Sequence, residues 1–93
     1  MQMKEIETRI EDEQGILYGM SNPTRIHLMK RIFEGPKTIQ DLHSSAEAFC
    51  GKRLHLPHTY RHLRVLTECG LVEKRDRHYY PTYKAIYLRK VKE

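Results

Sequence analysis

Apolar side chains recur along this chain mostly at helical spacings. Met3, Ile6, Ile10, Leu17 and Met20 are separated by three, four, seven and three positions, which predicts a helix over residues 3–19. Gly15 falls inside it and weakens it by up to about 1 kcal/mol against Ala, so this helix needs tertiary or partner contacts to persist. Ser21-Asn22-Pro23 reads as the next helix start. A Ser or Asn side chain accepts a bond from an orphan backbone N–H, and Pro suits the first helical position. Ile26, Met29, Ile32 and Phe33 give this second helix a buried face, and Gly35-Pro36 ends it. Thr38-Ile39-Gln40-Asp41 has the form of a capping box with Asp in place of Glu. It opens a third helix at 39–49, with Ile39, Leu42, Ala46 and Phe49 on its apolar face and Gly51 to stop it.

Leu54 through Cys69 carries a fourth helix, with Pro57 in its first turn. Thr59, Leu63 and Leu66 fall at i, i+4 and i+7, flanked by Leu56 and Val65, and Gly70 follows the helix end. Leu71 to Arg75 and His78 to Pro81 are β-prone runs around Asp76-Arg77, which predicts a hairpin. No Gly sits at the turn, so Asp76 is the residue best able to take a positive φ. From Tyr83 to Val91 a last helix, capped by Thr82, places Tyr83, Ile86, Tyr87 and Val91 on one side. So short a helix is marginal alone in water and should pack on something. The order of helices and hairpin predicts a mainly α fold with a small β-hairpin wing, a winged helix-turn-helix.

Composition narrows the class. The 93 residues make a single domain, 1–93, that buries roughly 60–70% of its unfolded surface. With 39% apolar and 31% charged residues, a collagen-like, low-complexity or wholly disordered chain is excluded. Apolar runs are too short for a membrane span, and the first twenty residues lack a signal-peptide core, so a cytoplasmic, intracellular protein is expected. Residues 1–20 carry two basic and five acidic side chains, while the other 73 residues carry 15 basic against 7 acidic. A basic body behind an acidic leading segment suggests a polyanionic partner, although a merely cationic soluble protein would look the same.

At this point a family likeness enters. Ser21-Asn22-Pro23-Thr24-Arg25-Ile26 resembles the opening of the DNA-binding domain of ArsR-type winged-helix repressors. The run from Tyr60 to Glu73, Tyr-Arg-His-Leu-Arg-Val-Leu-Thr-Glu-Cys-Gly-Leu-Val-Glu, is similar to that family's recognition helix entering its first wing strand. The likeness covers residues 20–80, about two-thirds of the chain. A long amphipathic first helix with a last helix also resembles the dimer-forming arrangement of MarR-type regulators. That implies a homodimer joined through helices 3–19 and 83–92, by Met3, Ile6, Ile10, Leu17, Tyr83, Ile86, Tyr87 and Val91. Size and layout are similar to those of small winged-helix proteins of archaeal viruses. The sequence departs from the ArsR pattern in a longer stretch between Leu42 and Leu54, which contains Cys50-Gly51-Lys52-Arg53. Its wing lacks Gly, and Pro57 and Tyr60 stand where small polar residues are common.

The core face of the fourth helix sets what points outward. With Thr59, Leu63 and Leu66 inside, His58, Arg61 and Arg64 form one outer stripe with Tyr60 beside it. Such a stripe on a helix that enters the major groove of double-stranded DNA is what base readout needs, since Arg can bond guanine O6 and N7 together. Arg61 and His58 are expected at bases, with Tyr60 adding a hydroxyl or ring contact, and Arg64 at phosphate. Lys74, Arg75, Arg77 and His78 on the hairpin are expected at phosphates, with Arg75 or Arg77 entering a minor groove, and Lys52 and Arg53 at phosphate ahead of the helix. The plainer alternatives are a solvated polar face and basic protection of a strand edge.

Six histidines invite a metal reading, because His55, His58 and His62 fall at i, i+3 and i+7 and Cys50 or Cys69 could join them. The metal sensors of the ArsR likeness use paired cysteines on an earlier helix or His and carboxylate pairs on the last one, and neither is present. No metal or other cofactor is therefore expected, and His62 reads as a packed, hydrogen-bonded histidine. Cys50 and Cys69 are open to three readings: inert thiols, a disulfide, or a redox switch. No catalytic set stands out; Ser21, Ser44 and Ser45 lack an elbow or an assignable base. The expected function is a homodimeric, sequence-specific regulator of transcription and not an enzyme. Its rivals are a metal- or redox-responsive repressor of the same fold and a winged-helix module that docks an acidic protein.

Overall fold

The computed structural model describes residues 15–92. Residues 15–19 are helical and form the end of the expected leading helix. Met3, Ile6 and Ile10, and the side chain of Val91, lie outside the described residues. Helix α1 (Pro23–Phe33) starts where Asn22 caps it, its Oδ1 accepting the N–H groups of Thr24 at 2.9 Å and Arg25 at 3.2 Å. Helix α2 (Ile39–Cys50) opens on the expected capping box: Thr38 Oγ1 accepts the Asp41 N–H, and Asp41 Oδ2 accepts the Thr38 N–H. These bonds hold the Asp41 carboxyl below its ordinary pKa. Helix α3 (Leu56–Glu68) has no side-chain cap at its start.

At its far end α3 stops in a Schellman motif. The Leu71 N–H donates to the Leu66 carbonyl at 3.0 Å and the Gly70 N–H to the Thr67 carbonyl at 3.0 Å. Gly70 holds φ +77 there, a conformation any Cβ would strain. The chain then enters strands β1 (Val72–Arg75) and β2 (His78–Pro81), antiparallel, with Lys74 opposite Tyr79. Lys37 bridges Tyr79 from the other side and ties the wing to the start of α2. Thr82 then joins two elements: its hydroxyl donates to the Gly70 carbonyl at 2.6 Å and accepts the Ala85 N–H at 3.2 Å. Helix α4 (Tyr83–Lys92) follows.

The core is Leu28, Met29 and Ile32 of α1, Leu42 and Ala46 of α2, Leu63 and Leu66 of α3, then Leu71, Val72, Tyr79 and Ala85. Two expectations, on α1 and α2, need adjusting. On α1 the buried stripe is Arg25, Leu28, Met29 and Ile32, whereas Ile26 and Phe33 are only half-buried. Phe49 is 49% exposed and stacks on the His27 ring, with centroids 4.6 Å apart, because α2 turns that position outward over α1. On α4 it is Ala85 and Leu88 that meet the core, while Tyr83, Ile86 and Tyr87 face outward.

Candidate nucleic-acid interface

Helix α3 is built with one dry side and one wet side. Thr59, Leu63 and Leu66 are fully or almost fully buried, and His58, Arg61 and Arg64 are exposed. The guanidinium groups therefore stand outward over a leucine floor. Arg64 is not isolated: its Nε lies 3.0 Å from Glu68 Oε1, one turn on. Tyr60 is 41% exposed and lies toward the wing. Burial, with Tyr60 nearby, raises the Tyr79 phenol above its ordinary pKa of 10.0.

The wing is a tight hairpin. Asp76 at φ +48 and Arg77 at φ +66 are both left-handed. The expected Asp76 conformation is present, and Arg77 shares it. His78 Nδ1 lies 2.8 Å from the Asp76 carbonyl, so this half-buried ring closes the turn. Lys74 lies over the Tyr79 ring at 5.5 Å. Arg75 stacks on Tyr80 at 4.1 Å and reaches Glu73 at 3.4 Å. Arg77 is exposed at the tip. Tyr79 thus has Lys74 over its ring and Tyr60 near its phenol.

The long turn before α3 has its own bracing. Gly51 is left-handed at φ +71, and Glu47 Oε2 accepts the Leu54 N–H at 2.9 Å. Glu47 Oε1 is 3.7 Å from His43 Nε2, and His43 Nδ1 is 2.7 Å from Thr59 Oγ1. A polar chain thus runs from the turn to the buried side of α3. Lys52 and Arg53 stand exposed on the turn.

Sequence reading missed these supporting residues, Arg25 above all. Arg25 is 8% exposed, and its Nη1 lies 3.3 Å from Nδ1 of His62, itself 8% exposed. The signal was present: Arg25 occupies the first position of an i, i+3, i+4, i+7 stripe whose other members are apolar. His43 and Glu47 likewise share one face of α2 at i, i+4.

No family model matches the chain, and no curated protein matches it. Solved structures do. The transcriptional repressor BigR from Xylella fastidiosa is 26% identical, with a TM-score of 0.68 over 98% of this chain and 92% of that one. A possible transcriptional regulator for arsenical resistance is 29% identical, with a TM-score of 0.60 over 81% and 77%. An ArsR family transcriptional regulator is 21% identical, with a TM-score of 0.66 over 87% and 81%. This is a winged helix, the fold of those regulators.

Within this winged helix both cysteines are free thiols. Cys50 Sγ lies 3.8 Å from Thr24 Oγ1, and Cys69 packs against the core. Among the described residues no three His, Cys, Asp or Glu side chains converge as metal ligands. His58 and His62 meet edge to face, 4.9 Å between centroids. No described helix is long and apolar enough to cross a membrane. Nothing in these likenesses bears on the narrower one to archaeal-virus proteins.

Proposed function

We propose that this winged helix is a sequence-specific, double-stranded-DNA-binding regulator of transcription that acts as a homodimer. The observation that carries the reading is the outward stripe of His58, Arg61 and Arg64 on α3, with the basic wing beside it. Arg61 and His58 read base edges in the major groove, and Tyr60 adds its hydroxyl. Arg64, Lys52 and Arg53 contact phosphate, as do Lys74, Arg75 and Arg77 from the wing, one of whose arginines enters the minor groove. His78 serves them by closing the wing turn. That the similar structures are a repressor and transcriptional regulators supports a regulatory role, and a binding protein rather than an enzyme.

The dimer reading is supported by apolar surface at the other end. A groove of about 310 Å³ is lined by Ile16, Met20, Met29, Phe33, Leu71, Ala85 and Leu88, together with the cation Arg89. Beside it Leu17 is 71% exposed, Tyr83 92% and Tyr87 65%. A two-fold axis there would set two α3 helices on successive major grooves about 34 Å apart. The test is binding to duplex DNA across salt. With six to ten phosphate contacts, affinity falls roughly a thousandfold or more between 50 and 200 mM salt. In the same assay Arg61→Ala relaxes base preference at one position by about 1–3 kcal/mol. Affinity indifferent to salt, or an unchanged preference in Arg61→Ala, would remove the reading.

A further inference from the structure

Helix α1 carries a cation where its apolar stripe should continue. Arg25 shares the buried face with Leu28, Met29 and Ile32, and a buried charge is costly unless its hydrogen bonds are met. Among the described residues no carboxylate contributes to them. The Arg25 Nε donates to the Gly19 carbonyl at 2.9 Å, and Nη2 to the Tyr18 carbonyl at 3.0 Å and to Ser21 Oγ at 3.4 Å. These carbonyls end the helical stretch at 15–19, the negative end of its dipole. The Tyr18 ring covers the guanidinium at 5.3 Å. That helix end is tightly seated: a Cβ built on Gly19 would meet Leu71 Cδ1 at 3.1 Å and Cys69 Sγ at 3.4 Å.

The last edge of Arg25 faces α3. Nη1 is 3.3 Å from His62 Nδ1. A guanidinium can only donate, so Nδ1 accepts and the imidazole is the neutral Nε2–H tautomer. The His62 ring in turn stands edge-on to His58, which belongs to the outward stripe. One buried side chain therefore joins the leading helix, α1 and the recognition helix.

We propose that Arg25 and His62 are positioning residues for DNA reading: they lock α3 to the end of the leading helix, and the lock opens when His62 takes a proton. The proposal rests on the DNA-binding reading above. A proton on Nδ1 turns the acceptor into a donor and sets two cations against each other. Among the described residues, the charged and titratable groups that face His62 are Arg25 from α1 and His58 and Arg61 from its own helix; Tyr18 faces Arg25 from the far side. Burial first, then these three neighbouring charges, hold the His62 pKa below its ordinary 6.5. The lock is complete above that value and is lost as pH falls below it, through the lower folded pKa.

The test uses the duplex that the wild-type chain selects from a random pool, with a scrambled duplex of the same composition. The ratio of the two affinities is measured at about pH 8 and at the lowest pH at which the chain stays folded, because folded His62 takes its proton below the range of an ordinary histidine. The series is run in parallel on a His58→Gln background, which removes the base-reading histidine as a second proton acceptor; protonation at phosphate-contacting positions strengthens binding to both duplexes and leaves the ratio unmoved. For the wild type the ratio is expected to fall about tenfold in acid. His62→Gln keeps an acceptor for Arg25 but binds no proton, so it keeps the ratio at both pH values. His62→Leu lowers the ratio about tenfold at both. A wild-type ratio in His62→Leu at the higher pH overturns the lock. An acid fall that persists in His62→Gln overturns the proton control, and this variant decides if His62→Leu fails to fold. A wild-type chain that selects no duplex sinks the DNA-binding reading itself, and the lock with it.

Discussion

Thr59 puts a hydroxyl on the recognition helix at a point of complete burial. That hydroxyl is 2.7 Å from His43 Nδ1, the first link of the chain through Glu47 to the Leu54 amide. Thr59→Val keeps the shape and leaves the part-buried imidazole nitrogen without its partner. We expect a loss of about 1–3 kcal/mol, read from the midpoint of urea unfolding, with Thr59→Ser close to wild type. Equal stability of Thr59→Val would show that the chain does not brace the turn. Outward residues on α3 were legible because a 3.6-residue period sorts one helix face from the other without knowledge of its neighbours. Arg25 was not. Its burial depends on the carbonyls of Tyr18 and Gly19 and on a histidine 37 positions away. Phe49 failed in the opposite sense, since a stacking partner on another helix lets an aromatic ring stay half in water.

Elements announced themselves by their ends. Asn22, the Thr38–Asp41 box and Gly70 each meet a backbone group that helix geometry orphans, so their positions mark boundaries before any packing is known. The wing turn was legible only by half, because Asp is a common left-handed residue and Arg is not. Two successive left-handed residues form the turn that matches strand twist, and it favours Asn-Gly or Asp-Gly. Arg77→Gly should therefore raise stability by about 1 kcal/mol, seen as a higher Tm. The same change removes a cation from the tip. It should weaken binding to all duplexes alike and lower the salt slope by about one. A variant more stable and equally tight would free the wing tip from any phosphate role. The Lys37–Tyr79 bridge gave no sequence signal, since a single bridging residue has no period.

At the scale of the whole molecule, five of the eight exposed large apolar side chains among the described residues, Leu17, Tyr18, Tyr83, Ile86 and Tyr87, lie on the 15–19 stretch and α4, and α4 carries Lys84, Arg89, Lys90 and Lys92 as well. A stable dimer covers about 800 Å² on each partner, so an apolar area of this kind should decide assembly. Tyr87→Asp combined with Ile86→Asp is expected to halve the mass found by sedimentation equilibrium and to reduce binding on two-site duplexes more than on single sites. An undiminished mass would place the subunit contact elsewhere. The extended turn ahead of α3 carries one more implication. Its two ends are pinned, by the Gly51 backbone and by the Glu47 carboxylate on Leu54, while Lys52 and Arg53 project into water. Those two positions can therefore be exchanged for uncharged residues with the helices on either side left as they are, a change that would loosen the hold on every duplex equally and leave the preferred sequence alone.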